Sequence, residues 1–302
     1  MFTEETAIEV KGVVQRRKHF QLGPVELAVP KGYVTAIVGP NGSGKSSLFR
    51  LLLDLSKPDE GEMTVLGERV GGDDRQLKAR IGYVPDQAID VEDCMRAEEK
   101  AAFASLWYPS WELNRYQELL RRFEVDPSIK LGKMSKGMRR KFDIALAMAH
   151  NPELLLLDEP SSGLDPIAWK TMIEVLHRYM ERGDRTVLMA SHIVDEVKRL
   201  ADYIVFIVHG RVLGMFEKDA LLESWYALYI ESGSTAGSWK AMPGYREHEQ
   251  LSGTQVKLVT SDVLEAESWC ANQGLRITGR QKLELDDILT VLIEQERRRI
   301  HS

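Results

Sequence analysis

Three features of the chain predict an α/β fold organised around a phosphate-binding loop. A β-branched apolar strand at residues 33–38 runs into Gly39-Pro40-Asn41-Gly42-Ser43-Gly44-Lys45-Ser46, and an apolar run long enough for a helix follows at 47–53. Residues 154–158 form an unbroken apolar run, Leu154-Leu155-Leu156-Leu157-Asp158, of the kind found in buried parallel strands. Between them, from about residue 90 to 150, the pattern changes to helical periodicity rich in Ala, Leu, Glu and Arg. Strands plus a helical insert give the fold class: an α/β core carrying a helical subdomain.

The first of these features is also the first chemical statement. Residues 39–46 fit G-x-x-x-x-G-K-[ST] with a strand before and a helix after, the context this motif requires. Its glycines let backbone N–H groups turn inward around a β-phosphate, and the helix start at Ser46 and Ser47 adds its positive dipole end. Lys45 reaches the β/γ-phosphates in such a loop, and the Ser46 hydroxyl ligates Mg²⁺. One such loop means one nucleotide cassette in the 302 residues.

In chain order, residues 6–11 and 25–29 alternate apolar and polar and read as edge strands leading to the turn Pro30-Lys31-Gly32. After the P-loop helix comes a Gly-rich hairpin at 61–68, then a short strand at 81–85 ended by Pro85. The helical subdomain occupies about 88–150. Strands return at 154–158 and 186–190, and residues 202–208 and 211–214 pair around His209-Gly210. Beyond about residue 215 the composition shifts. Residues 232–244 read as a linker, 255–260 as a strand, 263–272 as a short helix, 276–278 as a strand and 286–299 as a terminal helix. The expected organisation is a cassette at 1–215 and a small α+β appendage at 216–302.

Bulk properties narrow the setting. A hydrophobic share of 43% and a charged share of 28% are those of an ordinary globular protein, and a net charge of −6 argues against broad nucleic-acid binding. No apolar run approaches the ~20 residues needed to cross a bilayer. The start, Met1-Phe2-Thr3-Glu4-Glu5, lacks the apolar core of a secretion signal. Cys94 and Cys270 are isolated, without metal-ligand spacing, and fit packing or surface roles in a reducing cytosol.

Further motifs bear on the reaction. Asp158 ends its strand at the C-terminal edge, where a carboxylate can hold the hydration shell of Mg²⁺, and Glu159 follows as a candidate base for the attacking water. Ser135 opens a strong helix; as an N-cap it needs no other role, but a helix start can also face a phosphate. Ser162-Gly163-Leu164-Asp165-Pro166 begins three residues after Glu159, and Ser191-His192 ends the next strand, where His192 could contact a γ-phosphate.

P-loop, Met134-Ser135-Lys136-Gly137-Met138, Leu157-Asp158-Glu159-Pro160, Ser162-Gly163-Leu164-Asp165-Pro166 and Ser191-His192, in this order, resemble the nucleotide-binding subunit of an ABC (ATP-binding cassette) transporter over residues 4–215. Trp107-Tyr108-Pro109-Ser110-Trp111, Ser135-Lys136-Gly137-Met138 and the entry Phe20-Gln21-Leu22-Gly23-Pro24 further resemble the YtrB-like ATPases of bacterial type-2 exporters. The resemblance implies a RecA-like P-loop NTPase core with an antiparallel β subdomain. It implies ATP and Mg²⁺ as ligands, and two cassettes, identical or paralogous, closing head-to-tail so that Ser135, Gly137 and Asp165 of one complete the ATP site of the other. It also implies integral membrane permease subunits as partners at the cytoplasmic face of the membrane, and no nucleic acid. Trp107, Tyr108 and Trp111 either pack inside the helical subdomain or face the membrane subunits. The C-terminal region, with Leu285-Asp286-Asp287-Ile288, is similar to exporter-ATPase extensions.

Three positions depart from that family's pattern. Lys136-Gly137-Met138 stands where Gly-Gly-Gln is usual, so a side-chain amide contact is lost. At the Q-loop, Asp86 follows Pro85 and Gln87 comes one place later, so either could meet the metal and the attacking water; Gln87 supplies the expected amide. The adenine-stacking position falls near Arg16 or Arg17, with His19 and Phe20 as substitutes. Two other functions share a P-loop of this type: a soluble ABC ATPase acting on nucleic acid or the ribosome, and an ATP-binding sensor without turnover. A single cassette without a long coiled-coil insert speaks against the first, and the presence of both Glu159 and His192 against the second.

Overall fold

The computed structural model describes residues 5–72, 75–87, 90–231 and 239–301. These divide into two compact units, Met1–Met215 and Phe216–Ser302.

The first unit begins with a long hairpin, β1 (Thr6–Arg17) and β2 (Phe20–Pro30). Both strands are roughly twice the length their alternation suggests. The reason is three register shifts along β1, between Thr6 and Ile8, Val10 and Val13, and Val13 and Gln15, which break the alternation without breaking the pairing. Gly23 (φ 97°) permits the close approach at this point, since a Cβ there would stand 2.0 Å from the Val13 carbonyl oxygen. β3 (Val34–Val38) leads through the P-loop into α1 (Lys45–Leu52), and β4 (Glu60–Val65) turns at Leu66-Gly67 into the short β5 (Glu68–Arg69). β1, β2, β4 and β5 form an antiparallel sheet ordered β2-β1-β4-β5, so β1 is an interior strand and not an edge.

After α2 (Arg75–Ala79) and β6 (Ile81–Val84) come the helices of the insert, α3 (Ala97–Ser105), α4 (Leu113–Phe123) and α5 (Lys136–Met148). Residues 88–89, at the expected start of this insert, lie outside the described residues. A buried ion network holds it together. Arg139 on α5 donates to Glu92 at 2.8 Å and to Asp143 at 3.3 Å, and Lys100 on α3 pairs with Glu92. Burial pushes the Asp143 carboxyl above its usual range in spite of these cations.

The core strands follow: β7 (Leu154–Asp158), then α6 (Pro166–Met180), β8 (Thr186–Ala190), α7 (Val194–Leu200), β9 (Tyr203–Val208) and β10 (Arg211–Glu217). They make a six-stranded sheet in the order β10-β9-β3-β8-β7-β6. β3 lies between β8 and β9, parallel to both, and β7 runs parallel to β8 and β6. Every residue of β3, β7, β8 and β9 is buried, which is why these segments read as continuous apolar runs. One apolar core, from Ile8 and Leu22 through Leu48 and Phe49 to Leu156 and Ile207, joins the two sheets. The P-loop, the segment after β7 and the segment after β8 all leave this sheet at the C-terminal ends of adjacent strands, where open α/β sheets bind ligands.

The second unit contains α8 (Lys218–Ser224), β11 (Tyr226–Glu231), β12 (Tyr245–Ser252), β13 (Gln255–Thr260), α9 (Val263–Asn272), β14 (Arg276–Lys282) and α10 (Leu285–His301). Its antiparallel sheet is ordered β12-β13-β11-β14. Leu228, Ile230, Val256 and Leu258 on the sheet pack with Val263, Ala266 and Cys270 of α9. Two strands the sequence left unassigned, β11 and β12, lie on either side of the segment read as a linker; of that segment, residues 232–238 lie outside the described residues. Cys270 is a core residue whose thiol is pushed up by burial, while Cys94 is exposed. Among the described residues no helix is long and apolar enough to cross a membrane.

Candidate nucleotide-binding and hydrolytic site

The P-loop is shaped by contacts that exclude side chains. A Cβ on Gly39 would stand 2.0 Å from the Ile207 carbonyl oxygen, and one on Gly44 (φ 113°) would meet Leu22 and Phe20 at 2.9 and 3.0 Å. The loop therefore runs tight against β9 and β2 and aims its backbone outward. Lys45, 6% exposed, folds back to donate to the Gly39 carbonyl at 2.8 Å and the Pro40 carbonyl at 3.4 Å. Its Nζ is also 3.7 Å from Glu159 Oε1.

Glu159 leaves the end of β7 with φ 51°, a conformation that a non-glycine residue seldom adopts, and its N–H is held by the Ala190 carbonyl at 2.9 Å. That geometry turns the carboxylate toward the loop after β8, where Oε2 lies 2.6 Å from His192 Nδ1. Asp158 is 2% exposed. Burial raises its carboxyl above the usual range, the Ser46 hydroxyl bonded to it opposes that, and Asp86 and Glu159 add to it. Its Oδ1 is buried without a hydrogen-bond partner. An orphaned carboxylate oxygen beside the Ser46 hydroxyl is an all-oxygen donor set that fits a hydrated Mg²⁺, which characteristically takes one or two protein oxygens and fills its shell with water and phosphate. Among the described residues there is no cluster of three His, Cys, Asp or Glu able to cage a metal without such help.

A cavity of about 730 Å³ opens over this arrangement. Asn41, Gly42, Ser43, Gly44, Lys45, Ser46 and Ser47 form its floor, and Asp86, Glu159, Ser162 and His192 one wall. Arg17, His19 and Phe20 line the remaining side, whereas Arg16 is turned away into an ion pair with Glu60. Gln87 is exposed and lines neighbouring cavities instead, so of the two Q-loop candidates it is Asp86 that faces the P-loop. Sequence reasoning had no way to place either, because a one-residue offset in a loop leaves no periodic signal.

Ser135, Gly137 and Asp165 do not line this cavity. Ser135 caps α5, its Oγ accepting from the Met138 N–H at 3.2 Å. Gly137 sits against the loop after β7: a Cβ on it would stand 2.5 Å from the Gly163 carbonyl oxygen. Asp165 caps α6, accepting from the N–H groups of Ile167 and Ala168 at 3.0 and 2.9 Å, and these bonds hold its carboxyl below the usual range. One residue in α5 ties that helix to the cavity wall. Arg140, 4% exposed, donates to the carbonyls of Pro85 and Asp86 at 2.5 and 2.6 Å, and burial lowers its guanidinium from the ordinary value.

Residues 22–162 match the ABC transporter family. The Nod factor export ATP-binding protein I of Rhizobium sp. (strain N33) is 30% identical over 307 residues, an alignment that spans 97% of this chain and 98% of that protein. The chain belongs to the ABC transporter ATP-binding family. As an ABC ATPase it binds and hydrolyses ATP. The daunorubicin/doxorubicin resistance ATP-binding protein DrrA of Streptomyces peucetius is 36% identical, with 70% of this chain and 66% of that one aligned. Among solved structures, the dimeric post-hydrolysis state of the cassette MJ0796 bound to ADP and Pi matches with a TM-score of 0.61 at 25% identity, over 70% of this chain and 98% of that chain. The ABC cassette in this chain is the α/β unit with its antiparallel sheet and helical insert, as the motifs imply.

Proposed function

We propose that this ABC ATPase powers export by pairing head-to-tail with a second cassette, closing on ATP and reopening after hydrolysis. The observation that carries this reading is the cluster of Lys45, Glu159 and His192 on one cavity, with Ser135 and Gly137 held outside it. A chain that assembles the base and the phosphate loop but leaves its signature serine elsewhere needs another chain's signature to close over the nucleotide.

In this mechanism the backbone N–H groups of residues 41–45 receive the phosphates of ATP, and Lys45 exchanges its carbonyl partners for phosphate oxygens. Ser46 and Asp158 are the residues that would hold Mg²⁺, which would neutralise phosphate charge, and Asp86 takes the Q-loop position on the same cavity. Glu159 accepts the proton of the attacking water. His192 keeps the Glu159 carboxylate aimed, through the 2.6 Å contact, and presents its other ring nitrogen to the γ-phosphate. Phe20, His19 and Arg17 are the candidates for the base of the nucleotide.

The partner cassette is a copy of this chain or a paralogue, and the membrane partners are integral permease subunits at the cytoplasmic face of a bacterial membrane. Support for the latter is a groove of about 750 Å³ lined by Tyr83, Val91, Met95, Phe103, Tyr108 and His150. Phe103 and Val91 are 56% and 85% exposed there, and Trp107, 67% exposed, stacks edge-on against Phe103. Of the aromatics around Pro109, Trp107 is the exposed one; Tyr108 lines the groove while stacked on His150 at 3.9 Å, and Trp111 packs against Tyr116.

The test is Glu159→Gln. It keeps the shape of the side chain and removes the base, so it binds ATP, runs as a dimer in its presence on gel filtration, and loses about 10²–10⁴-fold in turnover. A variant that releases phosphate at the parent rate refutes the assignment.

A further inference from the structure

Glu196 belongs to none of the motifs and does not line the cavity, yet it is 0% exposed on α7. Its carboxylate stands between the two loops that carry the hydrolytic pair. Oε2 accepts from the Ser161 hydroxyl at 3.2 Å and from the Ser191 hydroxyl. Ser161 is two residues after Glu159, and Ser191 immediately precedes His192. The Ser191 hydroxyl accepts in turn from the Ile193 N–H at 3.0 Å, so the turn presenting His192 is folded around it.

The rest of the environment is not that of a simple packing residue. Ser161 and Ser191 are themselves 7% and 0% exposed, and Glu196 Oε1 has no hydrogen-bond partner among the described residues. A buried carboxyl with one oxygen unsatisfied is costly, and an apolar side chain would avoid that cost. Burial raises this carboxyl to about 7, the two serine hydroxyls oppose the rise, Glu159 adds to it and His192 counters it. Glu196 thus lies near both members of the pair without a hydrogen bond to either.

We propose that Glu196 is a positioning residue for ATP hydrolysis: one carboxylate oxygen, accepting from Ser161 and Ser191, fixes the loop after Glu159 against the loop before His192. The 2.6 Å contact between Glu159 and His192 is thereby held by the fold of the two loops as well as by the pair itself. This rests on Glu159 and His192 being the hydrolytic pair.

The experiment measures steady-state ATP hydrolysis and ATP affinity for Ser161→Ala/Ser191→Ala, Glu196→Gln, Glu196→Ala and Glu159→Gln in the full chain. Removing both hydroxyls frees the loops while leaving the P-loop intact, so kcat falls about ten-fold or more, in line with the cost of misplacing reacting groups, and KM for ATP stays within about two-fold. Glu196→Gln keeps an amide oxygen to accept both hydroxyls and restores kcat to within about three-fold of the parent. A folded double-serine variant with the parent kcat overturns the proposal, as does a kcat for Glu196→Gln as low as that of Glu196→Ala. If Glu159→Gln itself turns over at the parent rate, the hydrolytic assignment has failed. If Glu159→Gln is inactive and the serine variant normal, only the role of Glu196 has.

Discussion

Replacing Arg140 by methionine measures how firmly α5 is tied to the segment after β6. The guanidinium is 4% exposed and its two donors meet the carbonyls of Pro85 and Asp86 at 2.5 and 2.6 Å. Methionine fills much of the same space, so packing is largely kept. What disappears is a pair of charge-assisted hydrogen bonds of about 1.5–3 kcal/mol each, and two carbonyl oxygens lose their donors. On the other side, methionine relieves the burial of a charge, which already depresses the guanidinium. The difference leaves a net loss of about 2–4 kcal/mol. For a cooperative unit of roughly two hundred residues each kcal/mol moves Tm by about 2–4 °C, so the transition of the cassette falls by about 5–15 °C in calorimetry. Turnover, read as phosphate release below the new transition, falls with it because Asp86 is no longer held at the cavity wall. A Tm within about 2 °C of the parent, together with parent turnover, refutes the view of Arg140 as a strut.

His150 supplies a pH prediction. Burial lowers its imidazole from 6.5 to about 4, so the unfolded chain takes up the proton first and acid favours unfolding. The stability from keeping it neutral is complete above pH 6.5 and is lost as pH falls through about 4; the urea-derived difference between parent and His150→Gln therefore shrinks by about 3 kcal/mol between pH 7 and pH 4, and a difference that stays constant refutes it. Gly137→Ala places a methyl 2.5 Å from the Gly163 carbonyl oxygen, so ATP binding by single chains is unchanged while ATP-driven dimer formation on gel filtration and hydrolysis both drop; a fully active variant shows that the loop can retreat at no cost.

Much of the site was legible because its signals are local. Residues 39–46 announce their geometry through the glycines that Ile207, Leu22 and Phe20 require, and the leucines of β7 announce a strand buried on both faces. The resemblance carried the rest of the motif set. What stayed hidden depends on tertiary contact. Glu196, in Val194-Asp195-Glu196-Val197, has the look of one more solvated helix charge, and it becomes a buried acceptor through Ser191, five residues before it, and Ser161, brought to it from 35 residues away. Arg139 and Arg140 stand in a basic run with Lys141, yet both are buried, Arg139 in the ion network of the insert and Arg140 against the carbonyls of Pro85 and Asp86. The lengths of β1 and β2 were underestimated because the register shifts erase the alternation on which strand reading depends. β11 and β12 escaped for a different reason: the Gly- and Ser-rich composition between them dominated the reading of segments as apolar as Tyr226-Ala227-Leu228-Tyr229-Ile230.

Gly137 and Gly163 meet backbone to backbone, with the Lys136 side chain lying along Gly163 at φ 82°. At Gly137 the contact is with the Gly163 backbone itself, and the Lys136 side chain closes over Gly163 from the same helix, so the two segments are coupled at close range. The start of α5 and the loop after β7 therefore behave as a single plate, one belonging to the helical insert and the other to the strand that carries Asp158 and Glu159. In a head-to-tail pair, the face offered to the neighbour's nucleotide would be hinged directly to this chain's own hydrolytic strand. Each half would then feel the other's phosphate loss as a mechanical displacement, which is the property needed for two active sites to take turns or fire together.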